Sequence, residues 1–147
     1  SKMSMSDNRK IAFEIVYSLE TQGTKYEEYK ENVDMFLEDR DIHGKATTKY
    51  IKDVVYGTKR HAKQIKKQIE SCLSEKWTYE RLSKVNVVIL EIAIFEMLFL
   101  KTPFKVVINE AVELAKSFGD TKSPSFINGV LASIVKKNNL DEGAKEN

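Results

Sequence analysis

One cysteine, Cys72, stands in a chain of 147 residues, so no disulfide framework can form within it. Its place between Ile69 and Leu73 marks it as a small core residue. The only two histidines, His43 and His61, are far apart and have no Cys or His at ligand spacing, which argues against a metal centre. The glycines are isolated, so no phosphate-cradling loop appears, and no serine sits in a nucleophile elbow. No apolar run reaches a membrane-spanning length without charge. Val85 to Leu100 comes nearest, and Glu91 and Glu96 interrupt it. The N-terminus lacks a signal-peptide pattern, so the chain is expected to be cytoplasmic. Sustained period-two alternation is missing too, which excludes most β architectures. None of this points to an enzyme.

What is present is helical periodicity. The chain is 41% hydrophobic and 31% charged, enough for a real core under a solvated surface. It reads as all-α, with about seven helices in one domain. The expected helical lobes cover about 6–75 and 77–138, followed by a flexible polar tail at 139–147. Ser6 or Asp7 is expected to cap a first helix that ends at Gly23. A second helix carries Tyr26, Tyr29, Val33, Phe36 and Leu37. One long helix is expected over 47–74, with Ile51, Val54, Val55, Thr58, Ala62, Ile65, Ile69 and Leu73 inward. Trp77 to Leu82 is a short turn. A central helix from Ser83 or Lys84 to Leu100 is apolar around most of its circumference, and so must be packed on several sides.

The stretch from Pro103 to Leu131 has both helix ends written into it. Thr102 is a candidate N-cap and Pro103 a first helical residue, where its missing N–H costs nothing. Val107, Ala111, Leu114, Ala115 and Phe118 share one face. Gly119 is expected to end the helix in the left-handed conformation. Ser123 and Pro124 are expected to cap and open the next helix, whose stripe is Ile127, Val130, Leu131, Ile134 and Val135.

Net charge is only +2, but its distribution is uneven. Residues 27–41 are acidic and residues 45–67 basic. Such a stripe either attracts phosphates or is the solvated face of a helix. Arg9 and Lys10 open the first helix, and Lys116 and Lys122 bracket the Gly119 loop. Tyr17, Phe118 and Phe126 lie near helix ends that also carry polar groups. Cations on phosphates and aromatic faces under bases are how single-stranded RNA is held. The helix start after Gly119 is also a natural anion site. Phe118 and Phe126 serve equally well as core plugs.

Four segments in order resemble the NusB family and span nearly the whole chain. These are Arg9 to Ser18, Tyr56-Gly57, Trp77 with Arg81 to Val85 and then Ile89 to Met97, and the Pro103 to Leu131 stretch. The last contains the specific block Ile108-Asn109-Glu110-Ala111-Val112-Glu113-Leu114-Ala115-Lys116. The resemblance implies two packed three-helix bundles. It implies binding to the boxA element of ribosomal RNA leader transcripts, as a heterodimer with NusE, a protein of the small ribosomal subunit. It further implies action with other Nus factors and RNA polymerase to suppress termination, without cofactor or catalysis. Homodimerisation is left open, since relatives differ.

Carried over by position, the RNA-binding candidates are Arg9, Lys10, Tyr17, Lys116, Phe118, Lys122, Ser123, Phe126 and Asn128. Glu80 and Asn86 lie near the edge expected to face NusE. Asp7 and Asn8 stand where the family opening carries further arginines. Fewer phosphate contacts weaken binding and flatten its salt dependence, so NusE is expected to be needed for a tight site.

Overall fold

The computed structural model describes residues 3–145, with side chains through residue 142; the last two residues of the expected tail lie outside the described residues. All eight regular elements among them are α-helices, joined in two places by a single 3-10 turn. The described residues form two compact units that meet in sequence at Arg60 and His61.

The first unit holds α1 (Met5–Thr21), α2 (Tyr29–Asp39) and α3 (Lys45–Arg60). Helix α1 starts earlier than expected because Ser4 caps it. The Ser4 hydroxyl accepts from the Asp7 N–H at 3.0 Å, and the Asp7 carboxylate accepts from the Ser4 N–H at 3.4 Å, a reciprocal capping box. Asn8 is buried, and its amide oxygen accepts from the Thr47 hydroxyl at 3.1 Å, joining α1 to α3. The two residues that depart from the family's arginine-rich opening therefore hold the helix start and the core. Gly23, at φ +64°, ends α1 as expected. The core of this unit is Ile15, Leu19, Val33, Ile51 and Val54, all buried.

The expected long helix over 47–74 is interrupted at His61, and α4 (Ala62–Ser71) begins after it. The Thr58 hydroxyl donates back to the Val54 carbonyl at 2.8 Å, adding a second donor to an acceptor of the helix ladder. Such back-bonding bends helices. Apolar spacing runs unbroken from Val54 through Thr58 to Ile65 and Ile69, so periodicity could not reveal the break.

The second unit contains α4, α5 (Lys84–Leu98), α6 (Phe104–Phe118), α7 (Ser123–Lys137) and α8 (Leu140–Lys145). The unit boundary falls inside the expected long helix because α4 packs on α5 and α7. The Gln68 and Asn138 amides bond each other at 3.0 Å across α4 and the end of α7. Helix α5 is the centre, with every residue from Val87 to Met97 buried. It is capped by Ser83, whose hydroxyl accepts from the Asn86 N–H at 3.1 Å. Helices α6 and α7 form an antiparallel hairpin against it. Three helices thus make the first unit, while α5, α6 and α7 make the centre of the second, with α4 and α8 added. A short helix, α8, occupies most of the stretch expected to be a tail. Cys72, expected in the core, is only half-buried at the end of α4.

Candidate functional site

In the first unit the candidate residues lie on α1. Arg9 is 5% exposed, with its guanidinium 6.0 Å from the centre of the Tyr50 ring. Arg9 is thus buried beside an aromatic face, where a guanidinium packs well. Lys10, next in sequence, is exposed. Tyr17 is half-buried, its ring stacked on Phe13 at 5.9 Å.

In the second unit the α6–α7 turn gathers most of the others. Gly119 is not left-handed; its φ of −93° and ψ of −172° are extended backbone. Its requirement is space. A Cβ there would fall 2.5 Å from Ser123 Cβ and 2.9 Å from the Ala115 carbonyl oxygen. The close approach exists because Ser123 is folded back into the turn and only 1% exposed. Its hydroxyl accepts from the Asp120 N–H at 3.1 Å. The Asp120 carboxylate accepts from the Lys122 N–H at 2.9 Å and the Ser123 N–H at 3.0 Å.

This arrangement corrects the expected cap. Ser123 does not cap α7 from outside; Asp120 supplies the capping carboxylate, and Ser123 returns the bond. Ser123 is also withdrawn from solvent and positions the turn. Asp120 takes the Lys122 and Ser123 N–H groups at the helix start where an anion was expected. Asp120 went unnoticed in the sequence, although an Asp that accepts from the backbone N–H two residues on is a common turn former. Thr102 likewise does not cap α6. Pro103 takes the cap position, and the Thr102 hydroxyl lies 3.4 Å from the Glu96 carboxylate.

Around the turn, Lys122 and Asn128 are exposed, as is Lys116, which lies 3.4 Å from Glu113. Phe118 is 36% exposed, off the buried face expected for it. Phe126 is half-buried, its ring 6.1 Å from that of Trp77 and tilted by 54°. Trp77 is 50% exposed, so this pair presents aromatic surface beside the turn. Two cations, three aromatic rings with accessible surface and an amide can hold a phosphate backbone and stack bases. Sequence reasoning had used Trp77 only as a landmark; an isolated tryptophan in a polar stretch was the available signal. Glu80 is exposed and 3.6 Å from Lys66, and Asn86 is half-buried with its amide oxygen unbonded. Among the described residues no helix is long and apolar enough to cross a membrane.

The model of the NusB family matches residues 6–136. The transcription antitermination protein NusB of Acetivibrio thermocellus is 40% identical over 146 residues, covering 99% of this chain and 97% of that protein. Among solved structures, NusB of T. maritima superposes with a TM-score of 0.82 at 29% identity, over 92% of this chain and 93% of that one. A complex of the antitermination factors NusB and NusE with double-stranded RNA contains a chain similar at TM-score 0.79 and 30% identity, over 90% of this chain and 96% of that one.

Proposed function

The chain belongs to the NusB family, and from that premise we propose that it is a transcription antitermination factor that binds boxA RNA of ribosomal RNA leader transcripts together with NusE. The observation that carries this reading is near full-length similarity to NusB proteins, one of them solved with NusE and RNA. The protein is a regulator that acts by binding, not an enzyme. It works in the cytoplasm, with other Nus factors and RNA polymerase completing the assembly.

The RNA contacts of the second unit are Lys116, Lys122, Phe118, Phe126 and Asn128. Lys10 and Tyr17 are those of the first unit, and Arg9 supports them from the core. Glu80 and Asn86 contact NusE, with the unbonded Asn86 oxygen available to a donor on that partner. Because the helix start at α7 is closed by its own carboxylate and the α1 opening is poor in arginine, affinity for RNA depends on NusE.

Fluorescence anisotropy of boxA RNA and a scrambled control, with and without NusE at two salt concentrations, tests the reading. Selective binding that tightens with NusE is expected. Equal weak binding to both RNAs, unmoved by NusE, would instead make the chain a helical protein-interaction module.

A further inference from the structure

A second surface of the second unit is lined by residues that the RNA reading does not use. Between α4 and the C-terminal end of α5 lies an open cavity of about 250 Å³, lined by Gln64, Ile65, Lys67, Gln68, Leu98 and Phe99. Its size is below the roughly 300–1,000 Å³ of small-molecule sites, and it suits one inserted side chain. The apolar part is aliphatic (Ile65 and Leu98) together with the accessible ring of Phe99. One wall is fixed in advance, since Gln68 is held by Asn138. A preformed wall lowers the ordering cost of docking.

The charge around this cavity has one sign. Lys67 lines it, Lys63 lies one turn earlier on the same helix, and Lys101 follows the end of α5. Among the described residues none of these three lysines is in an ion pair, and no carboxylate lines the cavity. Lys66, by contrast, is engaged by Glu80 at 3.6 Å and by the Tyr79 ring at 4.8 Å. Like charges four residues apart on a helix repel, and the counter-charge is not supplied by the described residues. A nucleobase would need a bare ring face. The Phe99 ring already stacks on His61 at 4.1 Å and on Phe95 at 5.5 Å. We propose that this groove docks an acidic protein segment, which inserts one leucine- or phenylalanine-like side chain between Leu98 and Phe99 while its carboxylates meet Lys63 and Lys67.

The test is a titration of isotope-labelled full chain, followed by amide resonances, with a short synthetic peptide. The peptide carries Asp and Glu around one Leu and one Phe placed four residues apart. Two controls replace the apolar pair with Ser or the acids with Lys. The expected result is movement of the Gln64, Lys67, Leu98 and Phe99 amides with the first peptide alone. The doubly exposed variant Lys63→Glu/Lys67→Glu is expected to keep its thermal melt and to weaken that peptide by about tenfold or more. No movement at these amides, or an equal response to the Ser control, would overturn the proposal. Movement of the same amides by boxA RNA would also overturn it, assigning the groove to nucleic acid. The outcome is independent of RNA binding at the α6–α7 turn, which is read in separate resonances.

Discussion

Arg9 and Lys10 are adjacent cations in different surroundings, and they call for different experiments. Arg9 is buried beside Tyr50, so Arg9→Ala removes packing against that ring. A loss of about 1–3 kcal/mol in chemical denaturation is expected. An Arg9→Ala protein of unchanged stability with weakened RNA binding would restore the surface role. Lys122 is exposed, and its side chain is not part of the turn's bonding. Lys122→Ala should reduce the slope of log affinity against log salt by about one unit while the melting temperature stays put. Phe126→Ala separates stacking from packing. Loss of a stacked base costs roughly 1–3 kcal/mol of RNA affinity, whereas loss of the Trp77 pair costs about 0.5–1.5 kcal/mol of stability. Tyr56 gives a pH signature. Burial, and then the nearby Asp34 carboxylate, push its phenol above the usual 10.0. The folded chain therefore holds this proton more tightly than the unfolded chain does. The resulting stability is complete below pH 10.0 and is lost as pH rises through the folded value. Tyr56→Phe should lack that part of the alkaline loss in melts recorded across this range.

At the scale of elements, the α6–α7 turn is the most sharply specified piece. Gly119→Ala forces a methyl group against Ser123 and the Ala115 carbonyl, and about 1–3 kcal/mol of destabilisation is expected from such overpacking. Asp120→Ala removes the capping acceptor and should cost about 0.5–2 kcal/mol. Both are read by thermal melts, with an unchanged melt of Gly119→Ala as the contrary result. Helix identity was legible wherever apolar spacing alone decides it, as along α5, α6 and α7. Helix ends were less so, because they depend on which side chain reaches which N–H. Ser4, not Ser6 or Asp7, opens α1, and Asp120, not Ser123, closes the start of α7. The interruption at His61 was hidden because the buried positions keep one phase across it. Of the candidate site, the exposed lysines and the accessible rings were readable as residue types near helix ends. The burial of Arg9 and Ser123 was not, since it depends on Tyr50 and Asp120, residues that no local pattern couples to them.

For the molecule as a whole, the two units differ in what they bury. The second is organised around α5, whose eleven successive buried residues from Val87 to Met97 make it the last place where backbone amides should exchange with solvent. Native-state hydrogen exchange is expected to find its slowest amides there, and faster exchange in α5 than in α3 would contradict that order. The same helix has another side when the chain is not yet folded. Val85 to Phe95 is rich in β-branched residues and nearly free of charge, the composition that pairs with copies of itself as extended strands. Glu91 interrupts that stretch and Glu96 bounds it, as gatekeeper charges do in nascent chains. Variants that loosen the second unit should accordingly be lost from the cell as aggregate before they are lost as unfolded monomer, and Glu91 then guards the yield of the protein during its synthesis.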